Sequence, residues 1–144
     1  MLDTKLQAAE LVSQLKAKNK TLATAESCTG GLLAAAITAN RGSSSVFSYG
    51  LVTYSNEAKQ MLLKVPAAEL ERFGAVSAQT ACAMAQGLQA LAGADVNISI
   101  TGIAGPDGGT EQKPVGLVFV GMAIDKSLVA FRFQFDGDRD SVRK

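Results

Sequence analysis

A β-favouring run, Thr21 to Ala25, passes through Glu26-Ser27-Cys28-Thr29-Gly30-Gly31 straight into the apolar helical stretch Leu32 to Ile37. A strand that gives way so abruptly to a helix starts a βα unit, because the helix must cross back over the sheet before the chain can pair in parallel. The rest of the chain keeps that alternation. Leu6, Ala9, Leu11, Val12 and Leu15 recur at helical spacing from Asp3 to about Lys18, and the helix after the serine runs from about Thr29 to Ala39. The polar cluster Asn40 to Ser45 reads as a loop and Val46 to Tyr54 as a second strand. Ser55 or Asn56 can cap a short helix, Glu57 to Leu63, and Pro66 opens another through Arg72.

Ser77 is a good N-cap for a long helix of small residues, Ala78 to Ala92. Val96 to Ile100 alternates as a strand, and Val115 to Ile124 and Leu128 to Phe135 read as two neighbouring strands joined by a tight turn. A last helix begins near Asp138. The pattern predicts an α/β fold, a three-layer α/β/α sandwich whose mixed sheet has about five strands. Ligands gather at the carboxyl ends of parallel strands in such sheets. Ser27, Tyr54 and Thr101 are expected at those ends and so in one pocket.

Composition narrows the function classes. At 144 residues, 47% hydrophobic and 19% charged, the chain has the makeup of one globular domain. Fourteen basic and thirteen acidic residues leave a net charge of +1 with the cations scattered, so neither nucleic acid nor an anionic membrane is the expected partner. A small molecule is. No apolar stretch approaches the ~20 residues of a membrane span. The start lacks the order of a secretory signal, and two cysteines make no disulfide framework, which together predict a cytoplasmic setting.

Ser27 is the leading nucleophile: a hydroxyl at a strand-to-helix junction lies beside unpaired N–H groups, and Gly30 and Gly31 let a ligand approach the backbone. Its plainer alternative is an N-cap. Cys28 competes, since the same position would lower a thiol pKa. The chain contains no histidine, so either nucleophile needs another base. Lys59 stands out because it falls in the first turn of a helix, where the dipole disfavours a cation. Making a lysine half-neutral near pH 7 takes about 4 kcal/mol. A helix end supplies at most ~2, so desolvation must supply the rest. Tyr54, at the end of the second strand, is placed to bond the serine hydroxyl or the amine.

Thr101 to Gly109 is a glycine-rich loop that suits an anion, although it is neither a P-loop nor a dinucleotide fingerprint. Gly42, Ser43, Ser44 and Arg139 are further anion-binding candidates. Asp136 to Ser141 imitates the opening of a calcium loop but lacks its sixth-position glycine, and reads as a turn and helix cap. Without histidine or paired cysteines, no zinc site is expected.

Thr24 to Gly31, Gly50 to Lys59, Gly74 to Ser77, Ser99 to Gly109, Lys113 to Gly116 and Gly137 to Asp140, taken in order, resemble the CinA C-terminal domain family, whose enzymatic members are nicotinamide-nucleotide amidohydrolases. The resemblance implies a serine–lysine hydrolase with Ser27 as nucleophile, Lys59 as base and Tyr54 in support. It implies substrate contacts at Thr101 and Gly102, with Arg139 on the nucleotide phosphate, and in such a reaction the backbone N–H groups of Cys28, Thr29 and Gly30 are expected to hold the substrate's oxyanion. It further implies a nucleotide substrate, no metal or organic cofactor, and a homo-oligomer, a dimer. Family members continue past Gly137 to Asp140 with one more helix, and longer ones carry a separate N-terminal domain. The resemblance is thus to the stand-alone type, lacking that last helix. A non-catalytic nucleotide-binding relative is the second reading.

Overall fold

The computed structural model describes residues 3–144. Its elements are α1 (Thr4–Ala17), β1 (Leu22–Glu26), α2 (Leu32–Thr38), β2 (Phe47–Val52), α3 (Asn56–Leu63), α4 (Ala67–Phe73), α5 (Ala78–Ala92), β3 (Val96–Gly102), β4 (Leu117–Ile124), β5 (Ser127–Gln134) and α6 (Arg139–Arg143). The five strands form one sheet in the order β2-β1-β3-β4-β5. β1 pairs in parallel with both β2 and β3, while β3–β4 and β4–β5 are antiparallel. The mixed five-stranded sandwich expected from the alternation of elements is the fold observed.

Side-chain alternation along β1 feeds two cores. Leu22 points to one face and packs with Val12 and Leu15 of α1, Ile37 of α2 and Val46. Ala23 and Ala25 point to the other, against Leu63, Leu70, Met84 and Leu88 of α3, α4 and α5. All five residues of β1 are buried, as a strand covered on both faces requires. At an average of about 25 cal/mol per Å² of apolar area, these layers are what hold the carboxyl ends of β1, β2 and β3 together. A third cluster, Cys28, Ala104, Val118 and Val142, seats α6 beside the loop that follows β1.

Several boundaries differ from the sequence reading, each for a local reason. α2 begins at Leu32 instead of Thr29, because Gly30 (φ +60°) and Gly31 (φ +101°) take left-handed backbone that a helix cannot continue. β4 begins at Leu117 because Gly116 (φ +92°) bends the chain. A Cβ there would lie 2.0 Å from the Phe135 carbonyl oxygen. The caps agree with expectation. Ser55 accepts from Ala58 N–H at 3.0 Å and Ser77 from Thr80 N–H at 3.0 Å. Asp138 caps α6 by accepting from Ser141 N–H and hydroxyl, which is the turn-and-cap role expected of the calcium-like stretch. No helix among the described residues is long and apolar enough to cross a membrane.

Candidate active site

The carboxyl ends of β1 and β3, the start of α3 and the loop after β3 enclose a pocket of about 270 Å³. Ser27, Cys28, Tyr54, Lys59, Thr101, Gly102 and Arg139 all line it. The segments carrying Ser27, Tyr54 and Thr101 therefore converge where the strand order predicts, and Arg139 of α6 joins them. Asp107 contributes one carboxylate to the wall and Arg139 one guanidinium.

Lys59 is the centre of the site. Its side chain is 1% exposed, which is unusual for a lysine. Its Nζ lies 3.1 Å from Ser27 Oγ and donates to the main-chain carbonyls of Thr53 at 2.9 Å and Tyr54 at 3.2 Å. No carboxylate pairs with it; the one ion pair among the described residues is Lys20–Asp95. Burial without a counter-ion lowers the amine below its ordinary 10.5. A neutral amine has two N–H groups and one lone pair. The two carbonyls take the N–H groups, which leaves the lone pair facing the serine hydroxyl. Desolvation by burial is the main cause of that shift.

Ser27 itself is fixed by its N–H, which donates to Ile100 O at 3.0 Å. Here the structure corrects a sequence expectation. The amino end of α2 is not open to a ligand, because the buried carboxylate of Glu26 occupies it. Glu26 Oε1 accepts from Thr29 Oγ1 at 2.6 Å and Leu33 N–H at 2.9 Å, and Oε2 accepts from Ala34 N–H at 3.0 Å. Gly31 offers no side-chain cap, so Glu26 serves as one from seven and eight residues upstream. Gly30 N–H is spent on Ser27 O at 3.0 Å. Only the Cys28 and Thr29 N–H groups of the expected set remain without a backbone acceptor among the described residues.

Tyr54 is also corrected. Its hydroxyl accepts from Arg139 Nη2 at 3.0 Å and reaches neither the serine nor the amine. Its contribution to Lys59 is its carbonyl. Arg139 Nη1 donates to Gly105 O at 2.7 Å, so this one side chain ties Tyr54 to the glycine-rich loop. Thr101 lines the pocket, but its hydroxyl donates to Ala75 O at 2.7 Å. The side chain of Thr29 is held by Glu26, and neither Thr29 nor Gly30 lines the cavity. Gly42 and Ser44 precede β2 and so sit at the opposite, amino end of the parallel strands, roughly 20 Å away at 3.3 Å per strand residue. They form no part of this pocket.

Sequence reasoning missed Glu26 and Arg143 as organising groups. The signal for Glu26 was a charged residue closing an apolar strand ahead of a helix with no ordinary cap. Arg143, one helical turn after Arg139, donates to Cys28 O at 3.1 Å and Thr29 O at 3.4 Å.

Burial raises the Cys28 thiol above its ordinary 9.0. Alkylation by iodoacetamide at pH 7 is therefore expected to be slow and to accelerate only above pH 9, as followed by mass spectrometry. Rapid modification at pH 7 would restore Cys28 as a nucleophile.

Fold and site together define a three-layer α/β protein with a buried serine–lysine pair at the carboxyl ends of its parallel strands. The CinA C-terminal domain model matches residues 4–144, and the chain belongs to that family. It is 56% identical to the CinA-like protein of Citrifermentans bemidjiense over 129 residues, 90% of this chain and 31% of that one. It spans about a third of the length of the curated relatives it matches. Among solved structures, the competence damage-inducible protein A from Klebsiella pneumoniae superposes with a TM-score of 0.95 at 39% identity, covering 99% of this chain and 88% of that one. The competence/damage inducible protein from Agrobacterium tumefaciens gives the same values.

Proposed function

We propose that the chain is an amidohydrolase that converts nicotinamide mononucleotide to nicotinate mononucleotide and ammonia through a serine–lysine acyl-enzyme. The observation that carries this reading is Lys59 Nζ at 3.1 Å from Ser27 Oγ, buried and without an acid to hold its proton. Neutral Lys59 takes the hydroxyl proton as Ser27 Oγ attacks the carboxamide carbon, which removes the need for histidine. Charge then develops on the amide oxygen, and the free N–H groups of Cys28 and Thr29 are the donors left to receive it. The Lys59 ammonium returns its proton to the departing nitrogen. With ammonia gone, the same amine activates water, which opens the ester and frees Ser27.

The pocket's two charges support a nucleotide of this kind. The ligand carries a cationic pyridinium and an anionic phosphate, and the wall offers Asp107 and Arg139. Ammonia release should be followed with the nucleotide, its riboside and free nicotinamide. The expected order is fastest for the nucleotide and negligible for the free base, with no release by Ser27→Ala. Tight nucleotide binding without ammonia would make the protein a binding module instead.

A further inference from the structure

We propose that Arg143 is a positioning residue for the peptide between Cys28 and Thr29, the unit that presents Thr29 N–H as an oxyanion donor beside Ser27. The inference rests on the acyl-transfer reading above. Ser27 N–H is held by Ile100 O, Gly30 N–H by Ser27 O and Leu32 N–H by Thr29 O. Leu33 and Ala34 N–H are held by Glu26. Cys28 and Thr29 N–H have no backbone acceptor among the described residues, and Cys28 lines the pocket next to Ser27. Gly31 N–H is also without one, but Gly31 is the cap position of α2, two peptides beyond the one between Cys28 and Thr29, and Cys28 is the last residue of this turn that lines the pocket.

A trans peptide is planar, with its C=O and N–H pointing in opposite directions. Fixing the Cys28 carbonyl therefore fixes where Thr29 N–H points. Arg143 Nε donates to that carbonyl at 3.1 Å, and Nη2 donates to the next one, Thr29 O, at 3.4 Å. One planar fork thus holds two consecutive peptides from behind. The same bonds polarise the peptide and make Thr29 N–H a stronger donor. The local sequence fits this approach closely. A Cβ at Gly30 would stand 3.3 Å from Arg143 Nη2, and Val142 is buried against Cys28 so that α6 cannot drift. The charge of Arg143 meets carbonyls instead of a carboxylate, since no ion pair to it exists among the described residues.

Glu26 holds the side chain of Thr29 from the other direction. Arg143 is the member of this pair that can be removed without uncapping α2. It is also the one whose loss a small molecule can replace.

The test measures ammonia release from nicotinamide mononucleotide by the full chain and its variants. Removing one oxyanion donor outright costs about 10²–10³ in kcat. Loosening the donor peptide should cost less, so Arg143→Ala is expected to lower kcat by roughly 10–100-fold with KM essentially unchanged. Guanidinium ion at millimolar concentration should restore part of that loss, and none of the loss in Ser27→Ala. A folded Arg143→Ala with wild-type kcat, or with raised KM alone, overturns the assignment while leaving the acyl-transfer reading intact. Should the alanine variant melt below assay temperature, Arg143→Lys decides: reduced kcat at unchanged KM supports the role, and unchanged kcat overturns it. A wild-type protein that releases no ammonia and is not labelled at Ser27 by a fluorophosphonate overturns both.

Discussion

Lys59→Met is expected to lower amide turnover by at least about 10³-fold while the protein stays folded. General-base transfer is worth about 10²–10⁴, and here the chain lacks histidine and no carboxylate pairs with the amine. Methionine keeps most of the buried volume, so a loss of activity reports the amine and not a cavity. Ser27→Ala should fall as far, and the double variant no further, since the two act as one unit. The pH profile adds an independent check. Wild-type kcat/KM should rise with pH through the lowered lysine pKa, on the neutral side of 10.5.

Stability carries the same signature with a definite sign. Between the folded-state pKa of Lys59 and its ordinary 10.5, the unfolded chain binds the proton and the folded chain has released it. The unfolded state thus holds more protons, and stability rises with pH across that window. Below it, both states are charged and the folded protein bears the full cost of a buried ammonium. Urea unfolding from pH 6 to 10 should show this rise in the wild type and a flatter curve in Lys59→Met. Retained turnover together with superimposable curves would dismiss Lys59 as the base.

What makes the lysine neutral is the fold and not its helix alone. α3 delivers Lys59 under the exit of β2, where the carbonyls of Thr53 and Tyr54 have left the ladder and can accept its two N–H groups. Two carbonyls orient an amine without supplying the charge that would hold it as ammonium. The same economy governs the serine turn, where Glu26 saturates the helix and leaves two N–H groups free.

The elements and their order were legible because hydrophobic period and caps are local properties. Ser55, Ser77 and Asp138 each cap the helix assigned to them. The convergence of Ser27, Tyr54 and Thr101 was legible from strand ends. What failed were statements about where a polar group spends its hydrogen bonds. The Tyr54 hydroxyl goes to Arg139, 85 residues later, and the Cys28 carbonyl to Arg143, 115 residues later. Such partners are fixed by packing, and no spacing announces them. Gly42 and Ser44 misled for a related reason. Their composition suits an anion, but position before a parallel strand puts them at the amino end of the strands, away from the pocket.

Gly87→Ala is expected to destabilise the protein and to slow catalysis, although an exposed helix would gain from it. Alanine in a helix interior is worth about 1 kcal/mol over glycine. Against that gain, a Cβ at Gly87 would stand 1.8 Å from the carbonyl oxygen of Leu63 and 2.7 Å from its carbon. Those are backbone atoms at the end of α3, so no side chain can rotate away and one helix has to move. Overpacking costs about 1–3 kcal/mol and more where backbone must shift, so the clash wins. The net loss should be about 2 kcal/mol, or a fall in Tm of roughly 6 °C for a chain of this size. Leu63 lies one turn beyond Lys59 on the same helix, so the movement is passed to the amine. Misplacing a reacting group by about 1 Å can cost 10²-fold, and kcat should therefore drop further than a stability defect explains at a temperature where the variant is fully folded. Calorimetry and ammonia release on the same sample separate the two effects. An unchanged melting temperature would mean that α3 yields to the new methyl group, and its packing on α5 would then not be what holds Lys59 against Ser27.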